Sequence, residues 1–165
     1  MDLVEYLKMK TIELPYDGYW KKESLPTYSG LYYVFATKFT QEGKLTGKRL
    51  IYIGEADSIH KRHNGTKEEP QEHEHLQDFI DELQDGEELC YATSKYDGSG
   101  KDRKMIESAM IYAIKPAVNI KNTVTYNDEP VRIDLKGTDR AFPPYKKIQL
   151  TKDSDGEWKV LKQKS

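Results

Sequence analysis

The chain carries one cysteine, Cys90, among 165 residues. A single thiol excludes an internal disulfide framework and any zinc site built on cysteines. Within Leu89-Cys90-Tyr91-Ala92 it reads as a small buried strand residue rather than a nucleophile. Long apolar runs are also missing. Nothing approaches the roughly 20 residues that a membrane span needs, so no membrane partner is expected. Met1-Asp2-Leu3-Val4-Glu5 lacks the basic-then-apolar order of a secretory signal, and a reducing, cytoplasmic location is expected. Internal repeats, heptads and low-complexity tracts are absent as well.

A strong charge excess is the last thing lacking. The formal net charge is −2, which at first sight argues against a polyanionic partner. The distribution argues otherwise. Ten acidic residues and one basic residue crowd between Lys67 and Glu88, and the remainder holds 25 basic against 18 acidic residues. One acidic flank beside a modestly basic body is compatible with a surface that faces phosphate.

What is present is organised around the stretch from Gly30 to Arg62. Leu31-Tyr32-Tyr33-Val34-Phe35 and Leu50-Ile51-Tyr52-Ile53 are rich in β-branched and aromatic residues, as half-buried strands are. The polar, glycine-punctuated segment between them predicts an antiparallel hairpin with a long loop, which brings two tyrosines onto neighbouring strands. Asp57 or Ser58 is placed to cap a helix carrying Ile59, Arg62 and His63. Leu76, Phe79, Ile80 and Leu83 keep the spacing of an amphipathic helix, which Asp85-Gly86 ends. Glu88 to Thr93 reads as a third strand. Asp102 is placed to cap a further helix with Met105, Ile106, Ala109, Met110 and Ala113 as its core stripe, stopped by Pro116.

The two ends read differently. Residues 1–28 form an extension, with a short helix capped by Asp2 and running through Lys8. Beyond it, Pro15, Asp17-Gly18 and Pro26 break regularity, and Tyr16, Tyr19, Trp20 and Tyr28 pack their rings over the edge of the domain. Residues 123–165 hold the alternating runs 131–135, 147–150 and 158–161, with a turn at Asp153 to Gly156, and read as a β-hairpin appendage.

On these residues the chain resembles the GIY-YIG nuclease family across roughly residues 29–122. Gly30-Leu31-Tyr32 corresponds to the first tripeptide and Tyr52-Ile53-Gly54 to the second. Arg62 follows ten residues after Tyr52, and Glu107 is followed by Pro116 and Asn119. The resemblance implies an α+β fold, a small antiparallel β-sheet flanked by helices in the order β-β-α-α-β-α, here with the C-terminal β appendage. It also implies a metal-dependent endonuclease that hydrolyses DNA phosphodiester bonds. In that cast Tyr32 is the general base and Tyr52 its partner. Arg62 sits on the scissile phosphate, Glu107 holds one magnesium or manganese ion, and Asn119 positions the closing loop or the substrate.

The chemistry of these side chains suits the task. Phosphodiester hydrolysis needs a deprotonated water and compensation for charge growing on the phosphate oxygens. A carboxylate can hold a hard divalent cation whose shell is completed by water and phosphate oxygens. A guanidinium offers a planar fork to a phosphate. A free tyrosine titrates near ~10, so it needs a neighbouring cation to serve as a base. His63 and His75 are candidates to assist. His73 and His75, two residues apart, do not share one helix face and make a poor zinc pair. Lys101, Arg103 and Lys104, at the start of the Glu107 helix, are the expected DNA-binding cations. Glu55 departs from the family pattern, since a carboxylate directly after Gly54 repels phosphate or recruits a cation. A non-catalytic nucleic-acid-binding or protein-interaction module on the same scaffold is the second reading.

Overall fold

The computed structural model describes residues 9–138, 141 and 143–165. The helix expected from Asp2 through Lys8 lies outside the described residues. The strands are β1 (Lys10–Trp20), β2 (Gly30–Phe39), β3 (Leu45–Ala56), β4 (Glu87–Lys95), β5 (Val131–Gly137), β6 (Tyr145–Lys152) and β7 (Trp158–Lys164). The helices are α1 (Ile59–Asn64), α2 (Leu76–Glu82) and α3 (Gly100–Ile114). No helix among the described residues is long and apolar enough to cross a membrane.

The small antiparallel sheet flanked by helices is not what forms. A single curled, mixed sheet of seven strands runs in the order β3-β2-β4-β1-β5-β6-β7, and among the described residues strand outweighs helix at 43% against 20%. The C-terminal strands expected as an appendage are the far half of this sheet. The hinge of the difference is β1. Its N-terminal part pairs in parallel with β5 from Lys10 to Tyr16, and its C-terminal part pairs antiparallel with β4 from Asp17 onward. Pro15 falls in the part paired only with β5, where a missing N–H is tolerated. Ile12, Leu14, Tyr16 and Gly18 alternate inward regardless of the proline and glycine that made the segment look irregular.

Both faces of β2 are covered, so Gly30 through Thr37 are all buried. On one face Leu31, Tyr33, Phe35 and Ile53 meet Met105, Ile106, Ala109 and Met110 of α3. That core continues under the C-terminal strands through Val131, Ile133, Ile148 and Leu150. On the other face Tyr32, Val34, Ala36 and Ile51 meet Ile59 of α1 and Phe79 of α2, with Leu25 and Tyr91. Ser58 caps α1 by accepting from the Lys61 N–H, while Ser99 rather than Asp102 caps α3.

Candidate active site

Tyr32 and Tyr52 leave the same face of the β2–β3 pair, yet they are not opposite each other. Tyr32 faces Gly54 across the ladder, and Tyr52 faces Val34. The glycine is what lets the Tyr32 ring lie across β3. A Cβ at position 54 would fall inside that ring. At the start of the same strand Gly30 lies against the Ser94 carbonyl, again with no room for a side chain. The two tripeptides are thus packing devices that seat the Tyr32 phenol, whose ring lies 6.1 Å from that of Tyr52.

Tyr32, Tyr52, Arg62 and Glu107 converge on one cleft of about 360 Å³. Glu55, Glu74, His75 and the segment from Val118 to Asn122 complete its wall. The Arg62 guanidinium donates to Glu74 Oε1 at 2.8 Å, an ion pair open to solvent. Asn119 clamps the backbone of β3: its Oδ1 accepts from the Ile53 N–H at 2.9 Å and its Nδ2 donates to the Ile53 carbonyl at 3.0 Å. With the Val118 N–H donating to the Ile51 carbonyl, the loop after Pro116 is fastened along the outer edge of the sheet, beside Tyr52.

The expected accessory residues scatter. Lys101 and Lys104 are exposed at the start of α3. Arg103 is buried at 7% exposure and holds Glu55 at 3.0 Å, Asp57 and the Gly98 carbonyl. His75 lines the cleft and bonds Asp78 at 3.0 Å. His63 is fully buried with its edge against the Tyr32 ring, and neither of its nitrogens has a hydrogen-bond partner. His73, weighed from sequence only as half of a poor metal pair, is the residue that reaches the tyrosine. Its Nε2 lies 2.7 Å from the Tyr32 hydroxyl, and its Nδ1 accepts from the His75 N–H at 3.0 Å. The helix-face argument missed it because His73 sits in the loop before α2, where residue spacing does not follow a helix.

Burial dominates the electrostatics. It pushes Tyr32 well above the ordinary tyrosine value, with Tyr52 and the Glu107 carboxylate adding and Arg62 opposing. Tyr52 is pushed up to about 12 by burial and by Glu107, against Arg62. Burial and the neighbouring Glu55 carboxylate push Glu107 up to about 7, while the Glu55 backbone N–H, Lys104 and Arg62 pull the other way. Burial, then Arg62, lowers His63 to about 3 and His73 to about 2, so both imidazoles are neutral at ordinary pH.

The donor set suits a hard cation. The neighbouring Glu55 carboxylate raises the cost of ionising Glu107, which a divalent cation relieves. Among the described residues no group of three histidine, cysteine or acidic side chains could enclose a metal, so water and substrate oxygens would have to fill most of its shell.

Compared with family models, with curated proteins and with solved structures, the chain matches none.

Proposed function

We propose that this chain is a metal-dependent endonuclease of the GIY-YIG kind, hydrolysing DNA phosphodiester bonds in the cytoplasm. The observation that carries the reading is the convergence of Tyr32, Tyr52, Arg62 and Glu107 on one cleft. Four residues distant in sequence bring a pair of phenols, a guanidinium and a half-buried carboxylate to one place, which is the equipment phosphodiester hydrolysis needs.

Glu107, with Glu55 beside it, would hold a magnesium or manganese ion, which supplies Lewis-acid stabilisation of the phosphate and a lower barrier to ionising water. Arg62 offers its fork to the scissile phosphate. Its present partner Glu74 is a surface carboxylate, and an exposed pair of this type contributes only ~0–1 kcal/mol, so an incoming phosphate displaces it easily. A phenol of the tyrosine pair takes the proton of the attacking water. The bond from phosphorus to the leaving oxygen breaks, and that oxygen takes a proton from water in the cleft. Asn119 holds the Ile53 backbone so that Tyr52 keeps its direction. Lys101 and Lys104 contribute to holding the DNA backbone, and that affinity falls with salt.

The test is incubation of the purified protein with supercoiled, branched and single-stranded DNA, with magnesium, with manganese and with chelator. Cleavage that requires the cation supports the reading. Binding without cleavage on every substrate moves it to a non-catalytic nucleic-acid-binding module, in which the acidic flank around α2 contacts a protein.

A further inference from the structure

The hydrogen bonds at His73 assign directions to the protons of the tyrosine pair. The ring is 2% exposed and neutral, so it carries one N–H. Its Nδ1 accepts from the His75 backbone N–H, and the proton is therefore on Nε2. Nε2 lies 2.7 Å from the Tyr32 hydroxyl oxygen and must donate to it. His73 is thus full as an acceptor and cannot take a proton from Tyr32. The proton on Tyr32 has to point elsewhere. His63, against the same ring, takes no hydrogen bond at either nitrogen. The remaining neighbour is Tyr52, whose half-buried ring stacks 6.1 Å from that of Tyr32 and lines the cleft together with Glu107.

Resting on the nuclease reading, we propose that His73 is a positioning residue that fixes the donor order His73 to Tyr32 to Tyr52, leaving Tyr52 as the proton acceptor for the attacking water. Tyr32 is 1% exposed, whereas Tyr52 is half-buried and presents more of its ring to the cleft. Tyr52 first loses its own proton to solvent at the cleft mouth. One O–H bond of the attacking water then breaks, its proton joins the Tyr52 oxygen, and the freed electron pair attacks phosphorus. The two hydrogen bonds donated along the chain stabilise the phenolate while it exists. The role expected of Tyr32 from the family resemblance passes to Tyr52, and Tyr32 becomes its donor.

Four single variants, one double variant and one spectrum test this. Ring-nitrogen NMR of histidine-labelled protein, with His73→Leu used to assign the signal, should find the proton of His73 on Nε2. Tyr52→Phe should lower turnover by about 10²–10⁴-fold, the worth of a general base. Tyr32→Phe and His73→Leu should each lower it about tenfold, roughly the worth of one hydrogen bond. His73→Gln, whose amide still donates, should recover most of that loss. Because the two act in series, Tyr32→Phe combined with His73→Leu should be no worse than Tyr32→Phe alone. A proton on Nδ1 overturns the donor order. A loss at Tyr32→Phe as large as that at Tyr52→Phe overturns the base assignment, as does equal loss in His73→Gln and His73→Leu. The spectrum needs no cleavage. If the wild type cuts no DNA while Nε2 carries the proton, the nuclease reading falls and takes the base assignment with it, and the donation from His73 to Tyr32 stands.

Discussion

Leu31, Tyr33 and Phe35 leave one face of β2, Tyr32, Val34 and Ala36 leave the other, and none of the six is more than 1% exposed. The two faces are nevertheless built for different ends. Under α3 the Tyr33 hydroxyl bonds Ser94 at 2.8 Å and its surroundings are aliphatic or aromatic. Under α1 and α2 the strand buries Tyr32 among two imidazoles, and Tyr91 nearby has a hydroxyl with no hydrogen-bond partner. Of the four such buried atoms among the described residues, three belong to His63 and Tyr91 on this face, and the fourth is the Tyr16 hydroxyl on the other. Each unsatisfied group costs about 1–3 kcal/mol. A face that carries three of them, on His63 and Tyr91 packed behind Tyr32, is tuned for something other than stability. The lesson is a division of labour within one strand: the odd-numbered side chains of β2 hold the fold, and on the other face Tyr32 leaves the core of Val34 and Ala36 to reach the site.

The sharpest way to break this division is at Arg62, which contributes little to packing. Arg62→Ala should lower turnover by about 10²–10³-fold with DNA affinity almost unchanged, since its fork matters most where charge accumulates. Arg62→Lys restores charge without the fork and should recover only part. Equal losses of binding and turnover would make Arg62 a docking residue.

The opposite face predicts the opposite pattern. Phe35→Ala should cost about 3–5 kcal/mol in denaturant unfolding while turnover per folded molecule stays at the wild-type level. A matched fall in turnover at full folding would erase the distinction between the faces. Gly54→Ala tests the contact between the strands. Its Cβ collides with the Tyr32 ring, so it should cost about 1–3 kcal/mol and lower turnover together.

The smallest effect is a pH dependence at Glu107. Its value in the folded protein, about 7, lies above the unfolded 4.5. Between those values the folded state binds more protons than the unfolded, so stability falls as pH rises through this window and stays lowered above it. Glu107→Gln should therefore be more stable than the wild type at neutral pH, by on the order of 1–3 kcal/mol, and indistinguishable well below pH 4.5. Magnesium or manganese should raise the neutral-pH melting temperature of the wild type alone, and chelator should reverse it.

How much of this was legible in the sequence varies by element. Alternation and aromatic content place β2 and β3, and the Met105 to Ala113 stripe places α3. The extent of the sheet was not legible, because Pro15 and Gly18 mask the inward series Ile12, Leu14, Tyr16. The pairing of β1 with β5 joins segments more than a hundred residues apart, which no local pattern encodes. The residues that meet at the cleft were singled out by the resemblance of their motifs, in that order and spacing, to the GIY-YIG family. His73 was hidden because its partner lies 41 residues away on another element and its role depends on a loop's path. Arg103 looked like a surface cation, and only the acids at positions 55 and 57 explain its burial.

The most direct measurement compares Glu107→Gln with the wild type on supercoiled DNA in manganese, at equal concentrations of folded protein. The amide keeps the shape of the side chain and loses the charge that would hold the cation. The account predicts cutting by the wild type, none by the variant, and the same melting profile or a more stable one for the variant. Comparable cutting by both proteins would contradict it.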